Sequence, residues 1–431
     1  MKIAKISAIV FILLGLVLAG ACGDRAEEIE STSDGNVPAP MDEDQDAVAA
    51  ADSGQTAPSG TFTTWMGEWE TWSSAMTEAQ EDGWLVFCEE PVPRQYSFGA
   101  VYRLSEAGEV LWKKEFYSRS LEPSGIIASS DGNYVLAGSD SPTWDDQEFT
   151  EMDLAVELPE GETMEAEVST DFWACRIDPQ GEELWSRSYG QAGDNFCCGV
   201  VECPGGDLAF GGTSFTEDEQ RLFRLIRTDP DGEVLWDSTY GYPEGQLCDA
   251  VLCTSEGNFL LGGSITGYTE DPKVIVLAMV DEEGGLIWME RFGRHVNDAV
   301  NSLAETPEGD FLAAGSSQGP EGTDQAYIMK FSGSGEEIWT VYYGEEEFQY
   351  VNVTADGNLI ACGNDIVVLM NGSGEVLRTA NLPGDYRSCR ADEVRQLDDS
   401  RVVVLGHAYP PEDAVTGGAD GPLAFLTVLE I

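Results

Sequence analysis

The sequence predicts an all-β fold: a seven-bladed β-propeller of four-stranded antiparallel blades, closed by an N-terminal strand that completes the last blade. Three observations predict it. The motif G-x-x-[LI]-W returns at Gly108–Trp112, Gly181–Trp185, Gly232–Trp236, Gly284–Trp288 and Gly335–Trp339, and a sixth copy, Gly374–Arg378, has lost its Trp. A second motif, a Gly followed by an apolar run, precedes each copy. Its seven markers are Gly83, Gly132, Gly206, Gly257, Gly309, Gly357 and, in degenerate form, Ser400, at spacings of 49, 74, 51, 52, 48 and 43. Self-similarity at this period signals an array. Lastly, no segment after Cys22 carries a helical period.

The first element is an address. Lys2 and Lys5 precede an apolar run from Ile6 to Leu18, and small residues Ala19-Gly20-Ala21 stand before Cys22. That is the layout of a secretory signal peptide, residues 1–21, with a greasy stretch too short for a comfortable membrane span. Residues 22–60 are acidic and rich in Ser, Ala, Pro and Gly. Such a stretch buries too little surface to offset its ordering entropy and is expected to be a flexible tether.

Residues 61–431 are expected to form the ring. In one unit, "DAVNSLAET", "GDFLAAGSS", "DQAYIMKFS" and "EIWTVYYG" read as four strands, with "GSGEE" as a tight turn before the last. Side chains alternate, so Trp339, Val341 and Tyr343 share a face. The same i, i+4 aromatic pair recurs as Trp185 with Tyr189, Trp236 with Tyr240 and Trp288 with Phe292. Four short strands in about 50 residues describe a propeller blade. Each Trp (Trp112, Trp185, Trp236, Trp288, Trp339) is expected to bury its ring between neighbouring blades, with an upper estimate of roughly 4–6 kcal/mol apiece. After "DDSRVVVLGH" only "PLAFLTVLEI" remains, so the last blade lacks a fourth strand. "GTFTTWMGEW", from Gly60, is expected to supply it, with Trp65 near the repeat position although one residue further from its Gly.

The totals restrict function. Lys plus Arg number 22 against 79 Asp plus Glu, a formal charge of −57. Such a surface repels phosphate backbones, so nucleic acid is no partner, and anionic membranes repel it too. Only six of the basic residues are Lys, which also fits adaptation to a salty medium. Between Asp140 and Thr170 an insertion of about 23 residues relative to the common period carries eleven acidic residues and no basic one. It reads as a long loop between the second and third strands of blade two. Calcium binding there is conceivable but lacks the ligand spacing of an EF-hand; no cofactor is predicted.

Cys198 to Cys203 and Cys248 to Cys253 share the spacing C-x₄-C in corresponding strands of consecutive blades. Five strand steps span about 16 Å, too far for a bridge within either pair or for one tetrahedral metal. Export favours oxidation, and cross-blade bridges Cys198–Cys248 or Cys203–Cys253 are geometrically conceivable. Buried thiols acting as small hydrophobes are the other reading. A vicinal Cys197–Cys198 bridge is disfavoured by Cα geometry. The two histidines, His295 and His407, stand in different blades and predict no triad or metal cluster.

Several resemblances extend these readings. The Cys after small residues resembles the lipobox of bacterial lipoproteins, which implies diacylglycerol on Cys22 and a lipid anchor in the cell envelope, on the periplasmic side of a membrane or at the cell surface. The unit from Asp171 to Gly190, "DFWACRIDPQGEELWSRSYG", resembles the repeat of secreted bacterial and archaeal propellers, D-x-W-x-x-[KR]-[IL]-D-x-x-G-x-x-x-W-x-x-x-[YF]-G. These belong to the broad group similar to pyrroloquinoline-quinone (PQQ) enzymes. The resemblance implies a binding or scaffold module, a monomer meeting an envelope or extracellular protein. Its alternative is an enzyme using the channel, a quinoprotein-like dehydrogenase or a glycan-acting enzyme. Against the dehydrogenase, the Asp229-to-Gly232 spacing is one residue short and basic groups are scarce; against a sialidase-type Asp-box, the Gly-to-Trp distance is one residue long. Anchor plus propeller also resembles the lipid-anchored scaffold of the outer-membrane β-barrel assembly machinery.

Overall fold

The structure is a computed structural model that describes residues 62–431 apart from 68–69, 81, 92–96, 118–119, 142–168, 192, 217, 219, 266–273, 294–295, 320–321, 345–346, 383, 385–386 and 410–420. The signal peptide, Cys22, the tether, His295 and the body of the acidic insertion lie outside the described residues. Among those described there are 28 strands in seven four-stranded antiparallel sheets, and no helix.

Blade one is β2 (Trp72–Glu78), β3 (Trp84–Pro91), β4 (Ser97–Leu104) and β5 (Val110–Phe116). Blade two is β6 (Ser120–Ala128), β7 (Tyr134–Ser141), β8 (Asp171–Ile177) and β9 (Glu183–Tyr189). Blade three is β10 (Asn195–Glu202), β11 (Leu208–Phe215), β12 (Arg221–Thr228) and β13 (Val234–Tyr240). Blade four is β14 (Gln246–Cys253), β15 (Phe259–Ile265), β16 (Val274–Val280) and β17 (Leu286–Phe292). Blade five is β18 (Val296–Glu305), β19 (Phe311–Gln318), β20 (Asp324–Phe331) and β21 (Glu337–Tyr343). Blade six is β22 (Phe348–Val353), β23 (Leu359–Gly363), β24 (Ile366–Met370) and β25 (Val376–Asn381). Blade seven is β26 (Ser388–Gln396), β27 (Arg401–Tyr409) and β28 (Leu423–Glu430), with β1 (Thr63–Met66) as its outer strand.

The first strands of successive blades pack against one another in a closed circuit, β2 on β6 and so on to β26 on β2, so they are the innermost. Apolar side chains from facing sheets fill each blade boundary. Across the closing boundary, Met76, Trp84 and Tyr102 of blade one meet Met66, Leu405 and Leu426 of blade seven.

Ring closure is as expected in topology and different in register. β1 pairs antiparallel with β28, Thr63 opposite Thr427 and Trp65 opposite Phe425. The place of the repeat Trp falls to Phe62, not Trp65. The Phe62 carbonyl accepts the amide of Val428 at 3.0 Å, and its ring lies on Gly108 as Trp112 lies on Gly181 and Trp236 on Gly284. Met66 then takes the i+4 place of the Tyr.

The D-x-x-G turn has a local cause. In Asp229–Glu233 the Asp carboxylate accepts the amides of Asp231 and Glu233 at 3.0 and 2.9 Å, and Gly232 adopts φ 78°. That conformation suits Gly and strains any residue bearing a Cβ. A bulge follows: Val234 faces Thr228 and Trp236 faces Arg227, leaving Leu235 unpaired and 52% exposed.

The Trp rings are half-buried rather than fully buried. Each works as a hook on the next blade. Trp185 Nε1 donates to Pro230 O at 3.2 Å, Trp236 to Glu282 O at 3.1 Å and Trp288 to Gly333 O at 2.9 Å. The Arg opposite the Trp on the third strand joins it: Arg176 donates to Pro230 O and Arg227 to Glu282 O, both at 2.6 Å. In blade six, where the Trp is lost, Arg378 donates to Ile431 O of blade seven at 2.8 Å.

Candidate functional site

Every innermost strand carries a β-bulge at the same level, and β18 has a second irregularity between Val296 and Ala299. The extra residues are Ser74, Ser124 and Cys198 in blades one to three, Asp249, Asn301 and Gln349 in blades four to six, and Asp392 in blade seven. Opposite each bulge the second strand has the final Gly of its motif, except for Cys88 in blade one. The bulge drives the preceding carbonyl towards the second strand. A Cβ on Gly212 would stand 2.0 Å from Phe196 O, on Gly263 1.8 Å from Leu247 O, and on Gly363 1.7 Å from Glu347 O. Those glycines are therefore required by close backbone approach.

The bulged side chain reaches the next blade. Asn301 Nδ2 donates to Phe348 O at 2.9 Å, Cys198 meets Cys248, and Asp392 accepts Ser73 Oγ. Between blades seven and one this link grows into a cluster. His407 Nδ1 lies 2.8 Å from Asp392 Oδ2 and 3.5 Å from Ser73 Oγ, and Arg390 Nε donates to Asp392 Oδ1 at 2.7 Å. One strand-turn on, Glu393 accepts the Met76 amide at 2.8 Å and is paired with Arg395. Burial alone would raise the Asp392 carboxyl; His407, Arg390 and Ser73 outweigh it and hold it at about 2.

The cluster contains Ser, Asp and His, yet its geometry is that of a clasp. A nucleophile relay needs the Ser on one ring nitrogen and the Asp on the other. Here both approach Nδ1. The cluster links blades seven and one, and the sequence separation of 334 residues between His407 and Ser73 concealed it.

Above the clasp lies an open cleft of about 260 Å³, lined by Glu70, Trp72, Glu89, Pro91, Tyr409 and Pro422. Trp72 is 38% exposed and stands edge-on to His407 and Tyr409, with ring centroids 4.8 and 6.2 Å apart. Burial raises the Glu89 carboxyl, opposed by a hydrogen bond to Ser97. Burial and the charge of Glu89 push the neighbouring Glu122 up to about 7. The cleft therefore combines two aromatic walls with the carboxylates of Glu70 and Glu89, for which no ion pair occurs among the described residues; Arg387 lies over the Tyr409 ring at 5.4 Å.

The cysteines expected to face each other do so. Cys198 Sγ lies 3.9 Å from Cys248 Sγ, and Cys203 and Cys253 pack in one apolar cluster; all four are free thiols here. Cys197 donates to Gly199 O instead. The residues do not fit a tricarboxylate quinone. The seven innermost strands carry only Arg390 and Arg395 as basic residues, each bound to an acid of its own strand. Among the described residues no group of three metal-ligating side chains occurs, and the acidic insertion that raised the calcium question lies outside them.

No family model matches the chain, and no curated protein resembles it in sequence. Solved structures do resemble it in fold. The WD40 β-propeller domain of Doa1 aligns with a TM-score of 0.50 at 12% identity, covering 84% of this chain and 95% of its own. A protein of unknown function from Dyadobacter fermentans aligns at 0.46 and 13% identity, over 87% and 100%. At such identities the likeness concerns the seven-bladed fold alone.

Proposed function

We propose that the chain is a lipid-anchored envelope module that holds a basic segment of a protein partner in the cleft between blades one and seven. The cleft carries this reading: Trp72 offers its ring to a guanidinium or ammonium group beside Tyr409, over whose ring Arg387 already lies at 5.4 Å, while Glu70 and Glu89 supply the counter-charge. An Arg or Lys over an aromatic face gains about 0.5–2 kcal/mol, more when desolvated. A surface charge of −57 steers a cation towards the ring. Cys22 anchors the module and residues 23–60 give it reach.

The test is binding of short oligo-arginine peptides to the full chain by calorimetry at about 0.15 M salt, where loose surface attraction is screened. Trp72→Ala or Glu89→Gln should weaken binding at least tenfold, and Glu233→Gln, remote from the cleft, should not. Equal affinities for all three proteins would refute the cleft. Anchoring has its own readout: Cys22→Ser should move the protein from the membrane fraction to the soluble one.

A further inference from the structure

Cross-blade contacts at the inner strands follow two rules. At the upper level the bulge residue of one blade meets the residue before the bulge of the next: Asn301 with Phe348, Asp392 with Ser73. At the lower level, just after the first strand, a hydroxyl of one blade meets a carboxylate of the next. Ser129 and Ser130 bind Glu202 at 2.7 and 2.9 Å, and Ser255 binds Glu305 at 2.7 Å. At the boundary of blades three and four both levels carry Cys. Cys198 is the bulge residue and Cys248 precedes the next bulge; Cys203 follows β10, and Cys253 ends β14 in the position Glu202 occupies in β10.

We infer that blades three and four are joined by two parallel disulfides, Cys198–Cys248 and Cys203–Cys253, formed by exchange with a disulfide-bearing oxidant. These are the two levels at which other boundaries place hydrogen bonds, so the bridges stand where the fold builds links elsewhere in the ring. One thiol of each pair is half-buried, Cys198 and Cys253, and open to the oxidant; Cys203 and Cys248 are buried. The Cys203 hydrogen bond and the charge of Arg227 hold the Cys253 thiol below its ordinary value, against the effect of burial. Its thiolate attacks one sulfur of the oxidant and expels one thiol. Cys203 then loses its proton, attacks the Cys253 sulfur of the mixed disulfide and expels the second thiol. Two protein S–H bonds and one oxidant S–S bond are lost; one protein S–S bond and two oxidant S–H bonds form. The upper pair exchanges in the same way.

The experiment is thiol alkylation and peptide mapping of the full chain after equilibration with oxidised or reduced glutathione. Cleavage after Arg and Lys places Cys197, Cys198 and Cys203 on one peptide and Cys248 and Cys253 on another. Oxidation should join the two peptides and protect four thiols; reduced glutathione should release them. Cys203→Ser/Cys253→Ser should still protect two thiols. Cys203→Ser/Cys248→Ser leaves Cys198 and Cys253 on different levels and should protect none. Full alkylation of the oxidised wild-type chain, or a protected pair in that last variant, overturns the inference.

Discussion

Replacing Gly263 by Ala probes the contact that shapes every inner strand. A Cβ at Gly263 would lie 1.8 Å from Leu247 O and 3.0 Å from Cys248 Cα, both backbone, so β14 must move away from β15 by more than about 1 Å. That movement loosens the ladder on either side and the hydrogen bond from the Cys248 amide to Thr213 Oγ1, 2.8 Å long, which ties blade four to blade three. Overpacking costs about 1–3 kcal/mol and each lost buried hydrogen bond about 1 kcal/mol more. The expected destabilisation is therefore about 3–5 kcal/mol. Gly262 next to it is the control: its Cβ would touch only side-chain ends, Leu303 and Val300 at 3.1 Å. Those give by a few tenths of an ångström, and removing a strand Gly recovers about 0.5–1 kcal/mol, so Gly262→Ala should be close to neutral. The assay is thermal unfolding followed by circular dichroism. With an unfolding entropy of about 2.1 cal/mol/K per residue over roughly 370 residues, 1 kcal/mol shifts Tm by about 1.3 °C. Gly263→Ala should melt about 4–6 °C below Gly262→Ala. Coincident melting curves would refute the steric account of the motif.

Glu122→Gln should stabilise the protein above pH 7 and leave it unchanged near pH 4. The folded carboxyl holds its proton up to about 7 while the unfolded one loses it near 4.5, so wild-type stability falls as pH rises through that window. Full linkage sets a ceiling of about 3 kcal/mol, and partial solvent access lowers the expected gain to about 2 kcal/mol, read from Tm between pH 4 and 8. Trp236→Phe keeps the ring and loses the hydrogen bond to Glu282 O, a cost of about 1 kcal/mol. Combined with Arg227→Met it leaves that carbonyl without either donor, and denaturant midpoints should show the double loss exceeding the sum by about 0.5–1 kcal/mol. Cys248→Ser should lower the Tm of the oxidised protein by about 3–5 °C, from 2–4 kcal/mol of lost crosslinking, and leave the reduced protein unchanged.

What repeats in the chain was legible, because each recurring residue meets a recurring backbone need. The Asp and Gly of "DPDG" cap and bend one turn, and the Trp hooks the next blade. Blade count, strand order and the pairing of residues 63–66 with β28 follow from that periodicity. Assigning Trp65 to the repeat position failed for a physical reason. A closing strand that enters without a turn has no Gly to fix its register; pairing with β28 fixes it, and Phe62 then lands on Gly108. The seam was not legible at all. Trp72, Glu89 and Tyr409 belong to no motif, and only ring closure brings Tyr409 beside Trp72. The thiol pairs lay between these cases: their spacing showed the correspondence of strands, and the bulge level decided which sulfurs meet.

The distribution of chemistry round the ring follows from this. On the outer side the links share one scheme, a side chain donating to a carbonyl of the next turn, Arg and Trp together from blades two and three and Trp alone from blade four, and such a link can be copied with the repeat. At the inner bulge the backbone dictates only that the opposite residue be small; the bulged side chain itself is free to vary. Ser, Cys, Asp, Asn and Gln all occupy it: Asn301 and Asp392 hydrogen-bond the blade that follows, Cys198 meets Cys248 there, and Gln349 turns back to Glu347. Individual chemistry therefore accumulates at the inner level, where the fold constrains the backbone and leaves the side chain open. Two boundaries depart furthest from the shared pattern: three to four, with paired thiols, and seven to one, with the clasp and its cleft. Exchange of the bulge residues between boundaries tests this directly. Cys198→Ser places at this bulge the residue type blade two carries there, Ser124, and should keep the ring folded while removing one bridge. Asp392→Ser removes the carboxylate that His407 and Arg390 share and should open the seam, read as faster hydrogen exchange in β1, β2 and β26 than in β10 and β14. Equal exchange in both regions would mean that closure rests on the apolar boundary and β1 alone.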